Sequence, residues 1–556
     1  MKIDPVTLEV LRNAFAGIAE EMNANLIRTG YSPSIKERRD CSSALFDPHG
    51  RMIAQAESIP VHLGAMPFSV RAVRERFSEF KPGDTVVLND PFTGGAHLPD
   101  ITFVTTIFHA GELIAFAANR AHHADIGGKT PGSVASDSTD IFQEGLRIPP
   151  VKLWQGGELN EDLMRILLSN VRTPEERIGD LRAQKAANET GRRRLLELVE
   201  RYGAGVIAAA IEEIMDYSER RMRAEIDALP DGTYTSEDFL DNDGINTERV
   251  RIKVLVEIAG EGLTVDFSGS SPQVDGPINA VYAVTASAVY YAVRALTDPD
   301  IPPNDGCYRP IEIIAPSSSV VNASPPAAVV GGNLETSQRI VDVLIRALSG
   351  AVPEKAIGAC QGTMNNFTLG GIDPRSGKPY TVYETIGGGF GARASKDGID
   401  GIHSHMTNTL NTPVEALEIA YPLRIERYEL LPDSGGPGRY RGGLGIRRDI
   451  RVIEHKAQLS LLTERRITQP YGVFGGKPGR PGADYVIIAG EERRIPGKTV
   501  TVLQPGSVIS IRTPGGGGYG LPTERSRELI RRDYREGRIS AEHAIEHYGF
   551  DPRFEE

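Results

Sequence analysis

Cysteine is scarce in this chain. Cys41, Cys307 and Cys360 are the only three in 556 residues, far apart and in no CxxC pair. That pattern excludes a disulfide framework and a thiolate zinc site. No apolar run reaches the roughly 18 residues that a membrane-spanning helix needs. Positive charge is also short, with 62 Lys and Arg against 74 Asp and Glu and a net charge of −12. The compact cluster Arg192-Arg193-Arg194 reads as a solvated helix face, so no nucleic-acid partner is expected. There is no secretory leader pattern, because Met1 to Pro5 run directly into an amphipathic segment. These absences together lead to the expectation of a cytoplasmic globular protein without a membrane anchor.

What the chain has in excess is glycine and proline, 60 and 37 residues, spread without period. They punctuate short strands, which points to a loop-rich architecture containing β-structure. The length implies two to four structural units. Asp4-Pro5 is a helix start, with Asp as N-cap and Pro at the first helical position. Leu8, Leu11, Phe15, Ile18, Met22 and Leu26 follow at helical spacing, and Gly30 ends the run. Short strands are predicted at 43–46, 85–88, 101–108 and 113–119, the last two flanking a hairpin turn at His109-Ala110-Gly111-Glu112. Residues 160–229 read as mostly helical, an arm suited to packing on a partner subunit. Strands resume at Gly232, with helices predicted at 281–296 and 335–349. The expected fold is mixed α/β (α+β) and multi-unit, rich in strands and glycine. Its expected segments are a metal-binding unit at 1–159, a helical arm at 160–230, a mixed unit at 231–368, a β- and glycine-rich unit at 369–522, and a helical tail at 523–556.

Six of the eleven histidines lie in the first 123 residues. The segment Gly94-Gly95-Ala96-His97-Leu98-Pro99-Asp100 is followed, across the predicted hairpin, by Asn119-Arg120-Ala121-His122-His123-Ala124-Asp125. With the turn near Ala110, His97 and Asp100 face Arg120 to His123, close enough for imidazole and carboxylate groups to share one ion. Two His with one or two carboxylates is the composition of an open catalytic site for Zn, Mn or Fe. Such an ion lowers the pKa of water and polarises a carbonyl. A further carboxylate is required, and the spacing leaves two candidates. Asp40 sits among cations and by spacing alone pairs with Arg38 or Arg39; Asp90, before Pro91, reads as a turn residue. His62 is expected to support the site from behind.

Three glycine loops invite comparison with phosphate cradles. Gly387-Gly388-Gly389-Phe390-Gly391-Ala392 opens no helix, and Gly475-Gly476-Lys477-Pro478-Gly479 lacks the Ser or Thr after its lysine. Pro514-Gly515-Gly516-Gly517-Gly518-Tyr519-Gly520 is a tightly turning loop. All three read as backbone devices, so the chain shows no ATP site of its own. His403 and His405 share one face of an extended segment and form a second polar cluster.

These motifs resemble the B-type subunit of the hydantoinase/oxoprolinase family. The resemblance runs from Asp4-Pro5-Val6-Thr7-Leu8-Glu9-Val10 and Glu37-Arg38-Arg39-Asp40 through the His97–Asp100 segment. It continues through Gly332-Asn333-Leu334-Glu335-Thr336-Ser337-Gln338-Arg339 and Arg441-Gly442-Gly443 to the loop at 514–520. The resemblance implies metal ligands at Asp40, His97, Asp100 and His122, which raises Asp40 above Asp90. It leaves His123 and Asp125 as acid/base candidates. It also implies an A-type partner subunit that binds Mg-ATP and phosphorylates a carbonyl oxygen. The function it implies is ATP-dependent opening of a cyclic amide such as a hydantoin, lactam or 5-oxoproline. A ketone carboxylase of the acetone or acetophenone type, or a stabilising subunit without catalysis, are the alternatives.

Overall fold

The computed structural model describes residues 3–553. Its N-terminal part is built on an antiparallel sheet of β1 (Cys41–Phe46), β2 (Met52–Gln55), β3 (Thr85–Leu88), β4 (Asp100–His109), β5 (Glu112–His122), β6 (Val151–Gln155) and β7 (Glu158–Leu159). The spatial order is β2-β1-β5-β4-β3-β6-β7. Strand alternation divides its side chains between two faces. Leu45, Ile107, Ala115 and Ala117 pack with Leu11, Phe15 and Leu195. Ala44, Phe46, Val104, Phe116 and Ala118 pack with Leu63, Met66 and Val70.

The helices of this part are α1 (Pro5–Thr29), α2 (Pro33–Lys36), α3 (Pro60–Arg76), α4 (Glu161–Ser169), α5 (Pro174–Tyr202) and α6 (Ala204–Asp227), with α1, α3 and α5 supplying the partners just named. Asp4 caps α1 as its sequence requires, accepting the N–H groups of Val6 and Thr7. The helical stretch after residue 160 does not stand off as an arm. The polar face of α5 lies on the β4–β5 ribbon, where the Asn119 amide donates to Gln184 O and to Asn188 Oδ1, both at 2.7 Å. Gln184 in turn donates to Ile101 O at 2.8 Å. Buried amides and glycines, Gly179, Gln184, Asn188 and Gly191, give α5 its contact face within this chain.

A four-stranded sheet, Ile311–Ile314, Gly262–Asp266, Val250–Ala259 and Gly232–Leu240 in spatial order, follows with α7 (Tyr282–Leu296) and helix Ser337–Leu348. One apolar core runs through Ile101 and Phe103 of the first sheet, Met222 and Ile226 of α6, Val254, Val284 and Leu344. The boundaries expected at 159 and 230 therefore fall inside continuous packing. Glu144 adds a polar stitch, since its Oε1 accepts the N–H groups of Val329 and Val330 at 2.9 and 3.0 Å.

Beyond residue 360, a four-stranded and a five-stranded sheet enclose a separate apolar cluster that includes Phe367, Leu369, Ile450 and Ile509. The three glycine loops meet beside it and pack backbone on backbone. Gly516 donates to Gly443 O at 2.9 Å, Ala392 to Gly517 O at 2.9 Å, and Gly436 to Gly516 O at 2.8 Å. A Cβ on Gly516 would lie 2.2 Å from Phe390 O, and one on Gly389 2.1 Å from Gly443 O. Among the described residues no helix is long and apolar enough to cross a membrane.

Helix packing sets the cost of an added methyl group. A Cβ on Gly64 of α3 would lie 2.6 Å from Ser287 Cα of α7. Gly64→Ala is expected to cost about 1–3 kcal/mol by overpacking. Gly17→Ala in α1, where nothing lies within 4 Å, gains about 0.5–1 kcal/mol through helix propensity. Thermal unfolding of both variants checks this. Burial pushes the Glu144 carboxyl up to about 8 from its ordinary 4.5. Below the unfolded value both states hold the proton; between the two values only the folded state does, so stability falls as pH rises across that window. Glu144→Gln removes this penalty and should gain on the order of 2 kcal/mol over the parent at pH 8. The gain should vanish near pH 4, as measured by denaturant unfolding at both pH values.

Candidate metal centre

The β4–β5 hairpin sets the geometry. Its turn residues Ala110 and Gly111 have φ of 50° and 85°, the positive values that a tight two-residue turn demands. With one irregularity between Ile107 and Phe108, the register places Asp100, the first residue of β4, opposite His122, the last of β5. His97 reaches the same end through a tight turn in which Asp100 donates its N–H to His97 O at 3.1 Å. Asn89 holds that turn by donating to Leu98 O at 2.7 Å. Gly94, with φ of 94°, and Gly95, where a Cβ would lie 2.3 Å from Asn89 O, let the chain pass.

One ligand atom from each of His97, Asp100 and His122 lies within 4.8 Å of the others. All three side chains are buried, and none of their ring nitrogens or carboxylate oxygens makes a hydrogen bond of normal geometry. His97 Nε2 lies 3.1 Å from Asp100 Oδ1, and the buried polar atoms that this contact does not satisfy, both ring nitrogens of His122 among them, are costly unless a common partner meets them. The donor set of two imidazoles and a carboxylate fits a divalent transition metal.

Two further residues close around the triad. His62, in the first turn of α3, sits with Nε2 3.3 Å from Asp100 Oδ1 and 3.8 Å from Asp40 Oδ1. Its Nδ1 lies 3.3 Å from Ser42 Oγ, which orients the ring. Asp40 thus stands across His62 from the triad, and its carbonyl accepts the His122 N–H at 3.0 Å. The Arg38 guanidinium lies 3.5 Å from Asp40 Oδ2. Asp90 is elsewhere, capping the turn Pro91–Thr93 and pairing with Arg147 at 2.9 Å.

The electrostatics follow from burial and neighbours. Burial pulls against ionisation of Asp100, but the charges of His62 and His97 hold its carboxyl well below the usual range. Burial, assisted by His97, keeps His122 well below the ordinary imidazole value and hence neutral, the form that binds metal. Burial raises Asp40, opposed by Arg38 and His62.

Sequence reasoning missed Tyr383. Its ring stacks on His122 with centroids 4.1 Å apart and planes at 12°, and the Arg38 guanidinium carbon lies 4.9 Å from the centroid of the same ring. Tyr383 comes from a strand far downstream, Pro379–Glu384, and no local signal in the sequence ties it to the hairpin. His62 stands alone in the sequence, which suggests no more than a supporting place; its helix brings it between both carboxylates.

The structure does not bring His123 and Asp125 to the ion side. His123 projects to the opposite face of the sheet, with Nε2 2.9 Å from Gln184 Oε1 of α5. Burial and Arg177 pull its pKa down to about 4. Asp125 accepts the N–H groups of Gly127, Gly132 and Arg172 and pairs with the Arg172 guanidinium at 2.9 Å, so both its oxygens are engaged in closing the loop at 125–132. His403 and His405 also part company, the first facing Asn411 Oδ1 at 3.1 Å and the second Asp342 Oδ1 at 3.2 Å.

Comparison with known proteins places this geometry in context. Over 99% of its length the chain is 33% identical to an ATP-dependent caprolactamase from Pseudomonas jessenii, covering 96% of that chain with a TM-score of 0.92. An acetone carboxylase shares the fold, with a TM-score of 0.93 at 20% identity over 98% of this chain and 79% of that one. The 5-oxoprolinase 1 of Arabidopsis thaliana is 39% identical over 93% of this chain, which spans only 42% of that protein. A protein from Pseudomonas sp. (strain NS671), provisionally described as the B-type subunit of a D-/L-hydantoinase, is 36% identical over 99% of this chain and 95% of its own. The family model for hydantoinase B/oxoprolinase matches residues 4–522. The chain belongs to the hydantoinase B/oxoprolinase family.

Proposed function

We propose that this chain is the metal-bearing part of an ATP-dependent cyclic-amide hydrolase, opening a hydantoin, lactam or 5-oxoproline ring on an intermediate phosphorylated at its carbonyl by an A-type partner. The observation that carries this reading is the convergence of His97, Asp100 and His122, all buried, with His97 Nε2 3.1 Å from Asp100 Oδ1 and both nitrogens of His122 without a hydrogen-bond partner. Similarity to an ATP-dependent caprolactamase supports the hydrolytic assignment. The likeness to acetone carboxylase, at 20% identity, speaks for the fold alone.

His97, Asp100 and His122 would hold the ion, with His62 and Asp40 completing its surroundings. A divalent ion bound there polarises a carbonyl and lowers the pKa of water. The protein's own contribution is orientation. Ser42 fixes the His62 ring, Tyr383 fixes the plane of His122, and Arg38 places a buried positive charge beside Asp40. Asp125 acts by tying the loop at 125–132 to Arg172 just before α5, and His123 by locking the end of β5 to Gln184. The amide nitrogen is a poor leaving group, so activation by phosphorylation precedes attack.

The partner supplies the nucleotide site. In the glycine loops the N–H groups of Gly389, Gly476, Gly516, Gly517 and Gly518 are spent on backbone carbonyls, which supports placing the nucleotide on the partner. The 5-oxoprolinase relative is more than twice as long, which gives room for a nucleotide-binding part in the same polypeptide.

Elemental analysis of the purified chain is expected to find about one Zn, Mn or Fe per molecule. His97→Ala and His122→Ala should each reduce that content by about tenfold or more, and His62→Ala should weaken retention as well. A metal-free but fully active complex would overturn the assignment. The second test measures phosphate release and ring opening by the separated chain, the separated partner and their mixture. Both activities should require the mixture. Ring opening by this chain alone without ATP would make it an ordinary metal amidohydrolase, and bicarbonate- and ketone-dependent ATP turnover would make it a carboxylase.

A further inference from the structure

The segment Gly332-Asn333-Leu334-Glu335-Thr336-Ser337-Gln338-Arg339 lies far along the chain from the β4–β5 hairpin, yet Asn366 and Tyr383 join it to the candidate metal centre. It begins as a π-helical turn, Gly332–Thr336, and continues as helix Ser337–Leu348. A π turn is rare and recurs at functional sites. This one is pressed against its neighbours, since a Cβ on Gly332 would lie 1.9 Å from Asn279 O. Thr336, Ser337 and Gln338 spend side-chain donors on the backbone carbonyls of Ile278, Asn333 and Ser404. Glu335 differs, because its buried Oε1 accepts the Asn366 amide at 2.6 Å as well as the Met364 N–H at 3.1 Å.

Asn366 carries that contact toward the ion side. In the strand pair Asn366–Ile372 and Pro379–Glu384, Tyr383 stands opposite Thr368. Asn366, two residues before Thr368, is therefore a diagonal neighbour of Tyr383 on the same face. The Asn366 amide also donates to Leu462 O at 2.9 Å. With its nitrogen committed to two acceptors, Asn366 turns Oδ1 to the Tyr383 hydroxyl, which donates to it at 3.1 Å. Tyr383 in turn holds His122. A metal-binding imidazole is ordinarily oriented by a hydrogen bond from its second ring nitrogen. Neither ring nitrogen of His122 has a hydrogen-bond partner, and stacking on Tyr383, at 4.1 Å and 12°, takes that place.

Resting on the metal reading of this centre, we propose that Glu335 and Asn366 are positioning residues that hold His122 in its ligating orientation through the Tyr383 hydroxyl. Glu335 sets the Asn366 amide, the amide fixes the hydroxyl, and the hydroxyl fixes the ring that presents its plane to His122. Burial pushes the Glu335 carboxyl up to about 8 from its ordinary 4.5, with hydrogen bonding to Thr363 opposing the rise and the Glu464 charge adding to it. The group is therefore mostly neutral at pH 7, and what it supplies is an oxygen acceptor and not a charge. A glutamine offers the same acceptor. An alanine leaves the Asn366 amide free to turn over and to present N–H groups to the phenol in place of its oxygen.

Cobalt(II) loaded on the full chain reports ligand geometry through its visible absorption bands, and its loss to excess chelator reports how firmly the ion is held. Asn366→Ala and Tyr383→Phe are each expected to speed cobalt loss by about tenfold and to shift the bands. The double variant should be no faster than either single one, because both changes cut the same link. Glu335→Ala should behave likewise, and Glu335→Gln should restore the parent rate and spectrum. Tyr383→Phe keeps the ring and tests the hydroxyl even where an alanine variant fails to fold. Unchanged cobalt loss and spectrum in Tyr383→Phe, or additive effects in the double variant, overturn the proposal and leave the metal reading standing. So does a Glu335→Gln variant that loses cobalt as fast as Glu335→Ala. A chain that binds no cobalt overturns both.

Discussion

Everything at the candidate site depends on the register of one hairpin. Asp100 meets His122 because the turn at Ala110-Gly111 and the irregularity after Ile107 leave β4 and β5 no other alignment. Strand side chains alternate, so a slip by one residue would turn His122 toward Gln184 and bring His123 to the ion side. The same alternation gives the sheet two polar faces of different character. On one face the polar atoms of His97, Asp100 and His122 crowd around a common point short of hydrogen bonds; on the other, Asn119, Gln184, Asn188 and His123 satisfy one another almost completely. The satisfied face holds the unsatisfied one in place.

The electrostatic frame around the hairpin is also buried. Arg120 lies two residues from His122, fully enclosed, donating to Thr102 and Ser69 with no carboxylate paired to it. Burial pulls it down to about 10, with Asp100 the group that supports its charge. Arg38 plays a similar part on the far side of Asp40. Two enclosed guanidinium groups thus offset the buried carboxylates of Asp40 and Asp100.

The sequence disclosed this hairpin because its signals are local. A turn dipeptide, two β-rich runs and an HxxD segment define a register that needs no knowledge of the rest of the chain. The first helix was legible for the same reason, since Asp4, Pro5 and Gly30 mark its ends. What lay hidden depends on contacts between distant segments. Tyr383 stacks on His122 from another sheet, and His62 reaches the carboxylates only through the placement of α3. The stretch after residue 160 reads as helical from its spacing, and helices fill it, but the spacing does not say what its faces pack against. Its buried glycines and amides, Gly179, Gly191, Gln184 and Asn188, reveal their packing role only once the sheet beneath α5 is known.

The stack of glycine loops is a core with almost no side chains. Gly389, Gly442, Gly516 and Gly517 exclude water by bringing peptide groups together, so their burial hides polar surface in place of hydrocarbon. Hydration of peptide groups lowers heat capacity, whereas hydration of hydrocarbon raises it. Melting of this region therefore contributes less than its share to the heat-capacity increment of unfolding. The apolar cluster of the adjoining sheets around Phe367 and Ile450, like the core around Phe103 and Val284, carries the ordinary positive increment, so the two halves of the C-terminal part respond to temperature differently.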